Sequence, residues 1–363
     1  MKFSHFKILL VVSIAVLLML PFAACAPEEE PEEEPEEVEE VDEDEDEDEA
    51  FQFEEEYELR LGTVVSPPHP WIDMAEFFAD ELEARTDGHV TVNISHSGAI
   101  GDDEEMIDEM RIGTVDFVIG GASNAIPFIP EYEVTGFPYL FEDYDHFNRT
   151  FEEGSPVFEE FRDIHEERAA GFQVIAFSGG GTRVTSTSFG PVSEPADVQG
   201  KDMRLPAAPS RVEIWEEFGA VATTLPWGDI YSALEAGMIE MFESSISGYY
   251  GSALYEVAPY MNLTNHQIML THFSMSDHTR NELPDEAIQI IEEVAAEAGE
   301  LGTQRGIEND EELLEELEEE YGVEVNRDVD IDAFIEVSEP LHDRLAEDYE
   351  VVDLLEMIRE LEE

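Results

Sequence analysis

The sequence predicts an α/β protein of two lobes braced by one long helix, and three observations carry that prediction. Residues 57–121 alternate between strand and helix patterns. Residues 210–245 repeat the same order of elements, and residues 285–322 have the length and Ala/Glu/Leu content of a single helix. Alternating β and α units pack as a mostly parallel sheet with helices on both faces.

Taken in order, "YELRLGTVV" (57–65) reads as a strand. It is followed by a helical stretch in which Trp71, Ala75, Phe78 and Leu82 recur at three and four, and then by "HVTVNIS", whose Val90, Val92 and Ile94 alternate as in a half-buried strand. "GDDEEMIDEMRIGTVDFVIGG" opens with acids suited to a helix N-terminus, places Met106, Ile107 and Met110 on one face, stops at Gly113 and runs into an apolar strand. The passage 210–245 again gives helix, short strand, turn, helix, glycine, aliphatic, acid and strand. Gly113, Val115, Asp116 and Gly120 align with Gly237, Ile239, Glu240 and Ser244. Two α/β halves of one local topology follow. Ligands of such sheets sit beyond the carboxyl ends of the strands. "GGAS" (120–123), with Gly121 and Ser123, and "ESSIS" (243–247), with Glu243 and Ser244, are therefore expected to face each other across a cleft. A second helix is expected in "DAFIEVSEPLHDRLAEDY".

The chain has 363 residues, 90 acidic against 17 basic, and a formal charge of -73, while its 42% hydrophobic content still suffices for a core. That length implies two domains or lobes. Residues 26–56 hold 21 acids and no base, so the part from residue 57 onward carries about -54, with Lys201 its only lysine. A charge so uniform excludes nucleic acid as a partner. It resembles the surface of proteins that work in concentrated salt, where repulsion is screened within a Debye length of ~3 Å at 1 M.

Lys2 and Lys7 flank the start of the apolar run "ILLVVSIAVLLMLPFAAC", so residues 1–25 read as a signal peptide. Its end, Phe22, Ala23, Ala24 and Cys25, resembles a lipobox, with Phe22 where Leu is usual, which makes Cys25 the expected lipidation site. An uncleaved N-terminal anchor is the competing reading. Cys25 is the only cysteine, so the mature body has no disulfide, thiol nucleophile or Cys-ligated metal. The segment 26–56 repels itself into an extended, disordered tether; calcium binding by "DEDEDEDE" is the alternative.

Against this acidic background two arginines stand in short segments of small and apolar residues: Arg183 in "SGGGTRVTSTS" and Arg204 in "GKDMRLP", twenty-one positions apart. A guanidinium matches a carboxylate bidentately and stays charged when buried, so either could hold an organic acid. Each could instead be the partner of a neighbouring Asp or Glu.

From about residue 57 to 345 the chain resembles the solute-binding proteins of TRAP transporters (tripartite ATP-independent periplasmic transporters), the DctP-like type. "HSGAIGDDEEMIDEMRIGTVDF", "FPYLF", "GTRVTSTS", "DVQGKDMRLPAAPS", "WGDIYSALEAGMIE" and "LYEVAPYMNLTNH" carry the resemblance, in the family's order and spacing. It implies a two-lobed periplasmic-binding-protein-like fold, type II-like, with hinge strands and a bracing helix. Residues 57–180 with about 269–308 would form lobe I, residues 181–268 with about 309–345 lobe II, and 346–363 a C-terminal helical tail. The implied activity is capture of a small organic acid for an ion-gradient-driven membrane permease, at the outer face of the cytoplasmic membrane. Arg204 would pair with the ligand carboxylate, Arg183 would be a second cation beside it, and Asp103 would lie near the cleft. By its own position Asp103 is equally a helix N-terminal acid. Members that take sialic acid have Gln-Glu-Asn-Pro and a Glu where this chain has Phe242 to Ser245 and Gly121, which argues against a sialic acid ligand and, with Gly120 and Ser123, for a small one.

An enzyme is not expected: no H-E-x-x-H, G-x-S-x-G or P-loop occurs. No cofactor and no metal are expected either. "DVDIDAFIE" has Ala333 where a calcium loop needs Gly, and the histidines show no paired spacing. A binding protein of an ATP-driven importer or of a chemoreceptor is the alternative function.

Overall fold

The computed structural model describes Phe53 and residues 55–362. The expected signal peptide, Cys25 and the acidic tether up to residue 52 lie outside the described residues.

Strands β1 (Tyr57–Gly62), β2 (Val90–Ser95) and β3 (Phe117–Gly121) form a parallel triad with β1 in the middle. Helix α1 (Pro70–Arg85) connects β1 to β2. Pro70 is preset for a first helical turn, and Trp71, Ala75, Phe78 and Leu82 are buried as their spacing requires. Helix α2 (Asp103–Arg111) connects β2 to β3. Its capping box is reciprocal: the Asp102 side chain accepts from the Glu105 N–H, and Glu105 accepts from the Asp102 N–H. Met106, Ile107 and Met110 point into the core.

The long strand β4 (Phe172–Thr187) then carries the chain to a second triad, β5 (Asp202–Leu205), β6 (Val221–Thr224) and β7 (Met241–Ser245), again parallel with its first strand in the middle. Helices Pro209–Glu217 and Ile230–Glu235 connect these strands, so the triad copies the topology of the first. The equally long β8 (Tyr260–Ser276) returns, and β9 (Glu324–Asn326) pairs with it. The sheet order is β2-β1-β3-β8-β4-β7-β5-β6. The expected α/β architecture is therefore present, with one correction to the mostly parallel sheet. β4 and β8 run antiparallel to each other and to β7 and β3, because one strand crosses between the triads and the other comes back.

The β4–β8 register is interrupted between Gly179 and Thr182. Against that interruption lies the long helix Asp285–Glu319, 35 residues. A Cβ on Gly306 would stand 2.7 Å from the Gly179 carbonyl oxygen, so only glycine lets the helix backbone reach β4 there. The same helix buries Ala287, Ile291, Val294 and Ala298 in the core it shares with α1. After it, the single helix expected between 332 and 349 is two, Ile331–Ser338 and Leu341–Asp348, because Pro340 cannot donate to an unbroken helical ladder. The final helix, Val352–Glu360, packs back on the first half: His146 Nε2 donates to the Ile358 carbonyl at 2.9 Å. No helix among the described residues is long and apolar enough to cross a membrane.

Candidate functional site

The carboxyl ends of β1, β3, β5 and β7 converge on one cavity of about 460 Å³. From the first half its wall takes His69, Trp71, Asp103, Gly121, Ser123 and Asn124; from the second, Arg204, Pro206, Trp227, Ser244 and Ser245, with Arg183 of β4 and Met269 of β8 between them. Of the residues singled out in the sequence, Arg204, Arg183, Asp103, Gly121, Ser123 and Ser244 are on this wall. Glu243 is not: it lies behind it, with no exposed surface.

Arg204 sits on β5 between Met203 and Leu205 and is 4% exposed. Its Nε donates to the Leu225 carbonyl at 2.8 Å, and its guanidinium carbon lies 5.8 Å from the Trp227 ring centre. Among the buried arginines of the described residues, Arg183, Arg204 and Arg211, it alone has no ion pair. Burial draws its pKa down to about 10; Arg183 and Arg211 add to the effect, and Glu243 and Asp103 oppose it. At neutral pH it is a charged group held out of water with two Nη atoms to offer.

Arg183 is already committed. Its Nε pairs with the Glu243 carboxylate, and its Nη2 donates to the Glu243 carbonyl at 3.1 Å. The same carboxylate accepts from Arg211 Nη1 at 3.2 Å and from His266 Nε2 at 3.3 Å. Burial alone would raise the Glu243 pKa, but the charges of Arg183 and Arg211 and the bonds from His266 and Arg183 hold it well below the ordinary value. Arg211 completes the layer by donating to Gln267 Oε1 at 3.0 Å. The expectation for Glu243 as a wall residue is corrected by this pairing: the carboxylate of β7 is consumed by Arg183, on the wall, and Arg211, behind it.

Asp103, the first residue of α2, is 6% exposed, and its Oδ1 has no hydrogen-bond partner. Burial pushes its pKa up to about 6, against the Asn124 amide and the Arg204 charge. Gly120 forms the floor beside it. A Cβ there would lie 3.0 Å from His272 Nε2 and 3.3 Å from Asp103 Oδ1, so glycine is what lets both groups approach β3.

Sequence reasoning missed His69. It caps α1 from an extended conformation, its Nδ1 accepting from the Trp71 N–H at 3.2 Å. A neutral imidazole that accepts at Nδ1 carries its proton on Nε2. Burial lowers its pKa to about 3, so the ring is neutral and offers an N–H donor on the cavity wall. The signal was available: His69 stands in the segment that follows β1 and immediately before Pro70, the helix-starting position. Trp71 was expected only as core; its indole N–H is bonded to Thr271 Oγ1 at 2.7 Å, which fixes the ring in the wall.

Two α/β triads joined by the long strands β4 and β8, with a cavity at their carboxyl ends, make the two-lobed architecture of periplasmic binding proteins. The family model for bacterial extracellular solute-binding proteins, family 7 (DctP), matches residues 61–348, and the chain belongs to that family. A solute-binding protein of Sulfitobacter sp. NAS-14.1 is 28% identical over 307 residues, covering 84% of this chain and 92% of that protein. The TRAP periplasmic solute-binding protein of Chromohalobacter salexigens DSM 3043, with bound D-glucuronate, has a TM-score of 0.76 at 26% identity and covers 84% of this chain and 99% of that one. The one from Polaromonas sp. JS666, bound to D-erythronate, has a TM-score of 0.78 at 22% identity, with 84% and 98% covered. The family's members are extracytoplasmic receptors rather than enzymes.

Proposed function

We propose that this receptor captures a small organic acid in the cavity, with Arg204 holding the carboxylate, and hands it to an ion-gradient-driven TRAP permease. The observation that carries the reading is Arg204 itself: a buried guanidinium on the cavity wall that has no ion pair among the described residues. A protein tolerates such a group where a ligand supplies the counter-charge, since an unpaired buried charge is costly. Glucuronate in the Chromohalobacter protein and erythronate in the Polaromonas protein are both carboxylates, the chemistry that Arg204 would hold. The interruption at Gly179–Thr182 in β4 supports a hinge there, dividing the chain into the lobes 57–180 with 269–308 and 181–268 with 309–345.

The acidic surface supports function in concentrated salt, so thermal-shift screening of organic acids in molar salt, followed by calorimetric titration of the hits, is the direct test. An acid that binds raises the melting temperature by mass action; a screen in which no carboxylate does so would overturn the reading. Anchoring by Cys25 is part of the same proposal, since several acyl chains hold a protein where one does so only marginally. Cys25→Ser should release the protein from the membrane fraction, and a variant still bound there would exclude the lipid anchor.

A further inference from the structure

We infer that Asp103 decides which acids the cavity accepts: a carboxylate bearing a hydroxyl or ammonium donor is taken, and a plain dicarboxylate is turned away while Asp103 is ionised. This rests on the reading of Arg204 as the carboxylate anchor.

The argument is a balance of charge and hydrogen bonds on the wall. Arg183 spends its Nε and Nη2 on Glu243, which it shares with Arg211, so Arg204 is the one guanidinium of the wall without an ion pair and Asp103 the one carboxylate. Both also line an adjoining hollow, so they stand where the two spaces share a wall. One ligand carboxylate satisfies Arg204. A second would find no guanidinium free of an ion pair and would meet Asp103, and two carboxylates sharing a low-dielectric site cannot both stay ionised without large cost. What Asp103 offers is of the opposite kind: it lines the cavity, and while ionised its carboxylate is an acceptor only. A buried acceptor of this sort calls for a donor, which a hydroxyl or ammonium group on the ligand provides and a carboxylate does not.

The groups that face Asp103 do not alter this. Asp102 on its own helix raises its proton affinity and Arg204 from β5 lowers it, as does the Asn124 amide. Glu104 lines the adjoining hollow. His272 from β8, whose Nε2 stands on the same side of Gly120 as Asp103, is kept neutral by burial, its pKa lowered to about 3. Burial therefore sets the behaviour of Asp103, with its pKa near 6. Once protonated, the carboxyl can donate to a second carboxylate. Binding of a dicarboxylate is thus coupled to proton uptake and weakens about tenfold per pH unit above that value.

Succinate and D-erythronate, both four-carbon acids, separate the cases in calorimetric titrations at about pH 5.5 and pH 8 in molar salt. Wild type should bind erythronate with little pH dependence and succinate on the order of 10² more weakly at pH 8 than at pH 5.5. In Asp103→Asn the succinate profile should retain only the titration of succinate itself, and the preference for erythronate should shrink. Asp103→Ser, which also removes the charge, serves if the amide folds poorly. Succinate matching erythronate at pH 8 in wild type, or a preference untouched in both variants, would overturn the inference about Asp103 alone. Failure of both acids to bind at any pH would count against the carboxylate reading beneath it.

Discussion

Arg183 donates to the Glu243 carboxylate through Nε and to the Glu243 carbonyl through Nη2, so its charge is matched from within the protein. Glu243 in turn is shared with Arg211 and His266. A single carboxylate thereby keeps two buried guanidinium groups in place, Arg183 on the wall that Arg204 also occupies and Arg211 behind it. Removing the negative charge by Glu243→Gln would strand both cations, and breaking a buried pair in that way costs ~3 to 5 kcal/mol. The variant should show a large fall in urea midpoint. Its pH dependence should change as well. The folded pKa of Glu243 is depressed below its ordinary 4.5, so its contribution is present above that pH and is lost as pH falls below it, toward the folded value. Wild type should lose stability there more steeply than Glu243→Gln. Parallel profiles would show that the carboxylate carries no such linkage.

Arg204 should behave in the opposite sense. Its pKa is drawn down to about 10 by burial, which means that the folded protein without a bound acid disfavours its charge. Arg204→Met keeps much of the packing volume and removes the charge, so the melting temperature without added acid should rise rather than fall, while binding is lost. Arg204→Lys keeps the charge but not the fork, and should weaken binding by about 10² or more, as expected when a bidentate charged pair is disrupted. Near wild-type affinity in the lysine variant would remove Arg204 from the anchoring role. This is the trade of stability for function that binding sites commonly show.

Much of this arrangement could be seen in the sequence, for a physical reason. Periodicity reports local burial, so α1, α2 and the strands around them were legible in Trp71 to Leu82 and in Val90 to Ile94, and the recurrence of Gly113 at Gly237 exposed the repeat. Direction and pairing are long-range properties. Nothing near Phe172 or Tyr260 tells that β4 and β8 pair antiparallel across both triads. The same limit applied at the cavity. Ser244 was expected at the cleft because it lies at the carboxyl end of a strand, whereas Arg204 and Asp103 were expected there through the family resemblance. Whether Glu243 meets a ligand or two arginines depends on Arg211, thirty-two positions away in sequence. His69 was missed because its role joins two local facts, a helix cap and a strand end, that single-residue reasoning keeps apart.

His69 should separate those two roles experimentally. Ser is a good N-cap and could accept from the same helix N–H, but it is too short to present a donor where the imidazole Nε2 does. His69→Ser should therefore melt close to wild type and bind the acid about tenfold more weakly, the loss of roughly one hydrogen bond to a charged group. Wild-type affinity in this variant would confine His69 to capping. A collapse of the fold would instead show that the ring packs more than it binds, with His69→Asn, a second cap of intermediate length, as the control.

The last prediction concerns the interrupted strand. Asp310, on the long helix, accepts from the Thr182 N–H at 2.7 Å, just after Gly180 and Gly181, and Gly181 takes a φ of +93°, a left-handed value that suits glycine. The residue keeps part of its surface in solvent, but its Oδ1 is enclosed and unpartnered. Burial pushes the carboxyl up to about 7, while the bonds from Thr182 pull the other way. A raised folded pKa means that the folded state holds a proton which the unfolded chain has released, so this contribution is full below the ordinary value of 3.8 and is lost as pH rises through about 7. Asp310→Asn keeps an oxygen for the Thr182 N–H and removes the charge. The melting temperature of the variant relative to wild type should climb between about pH 4 and pH 7 and level off above it. Comparing the two proteins at each pH cancels the titration of the many surface carboxylates, which both share. A difference that stays constant across the range would mean that Asp310 is ionised throughout, and that its bond to Thr182 fastens the helix to β4 equally at every pH.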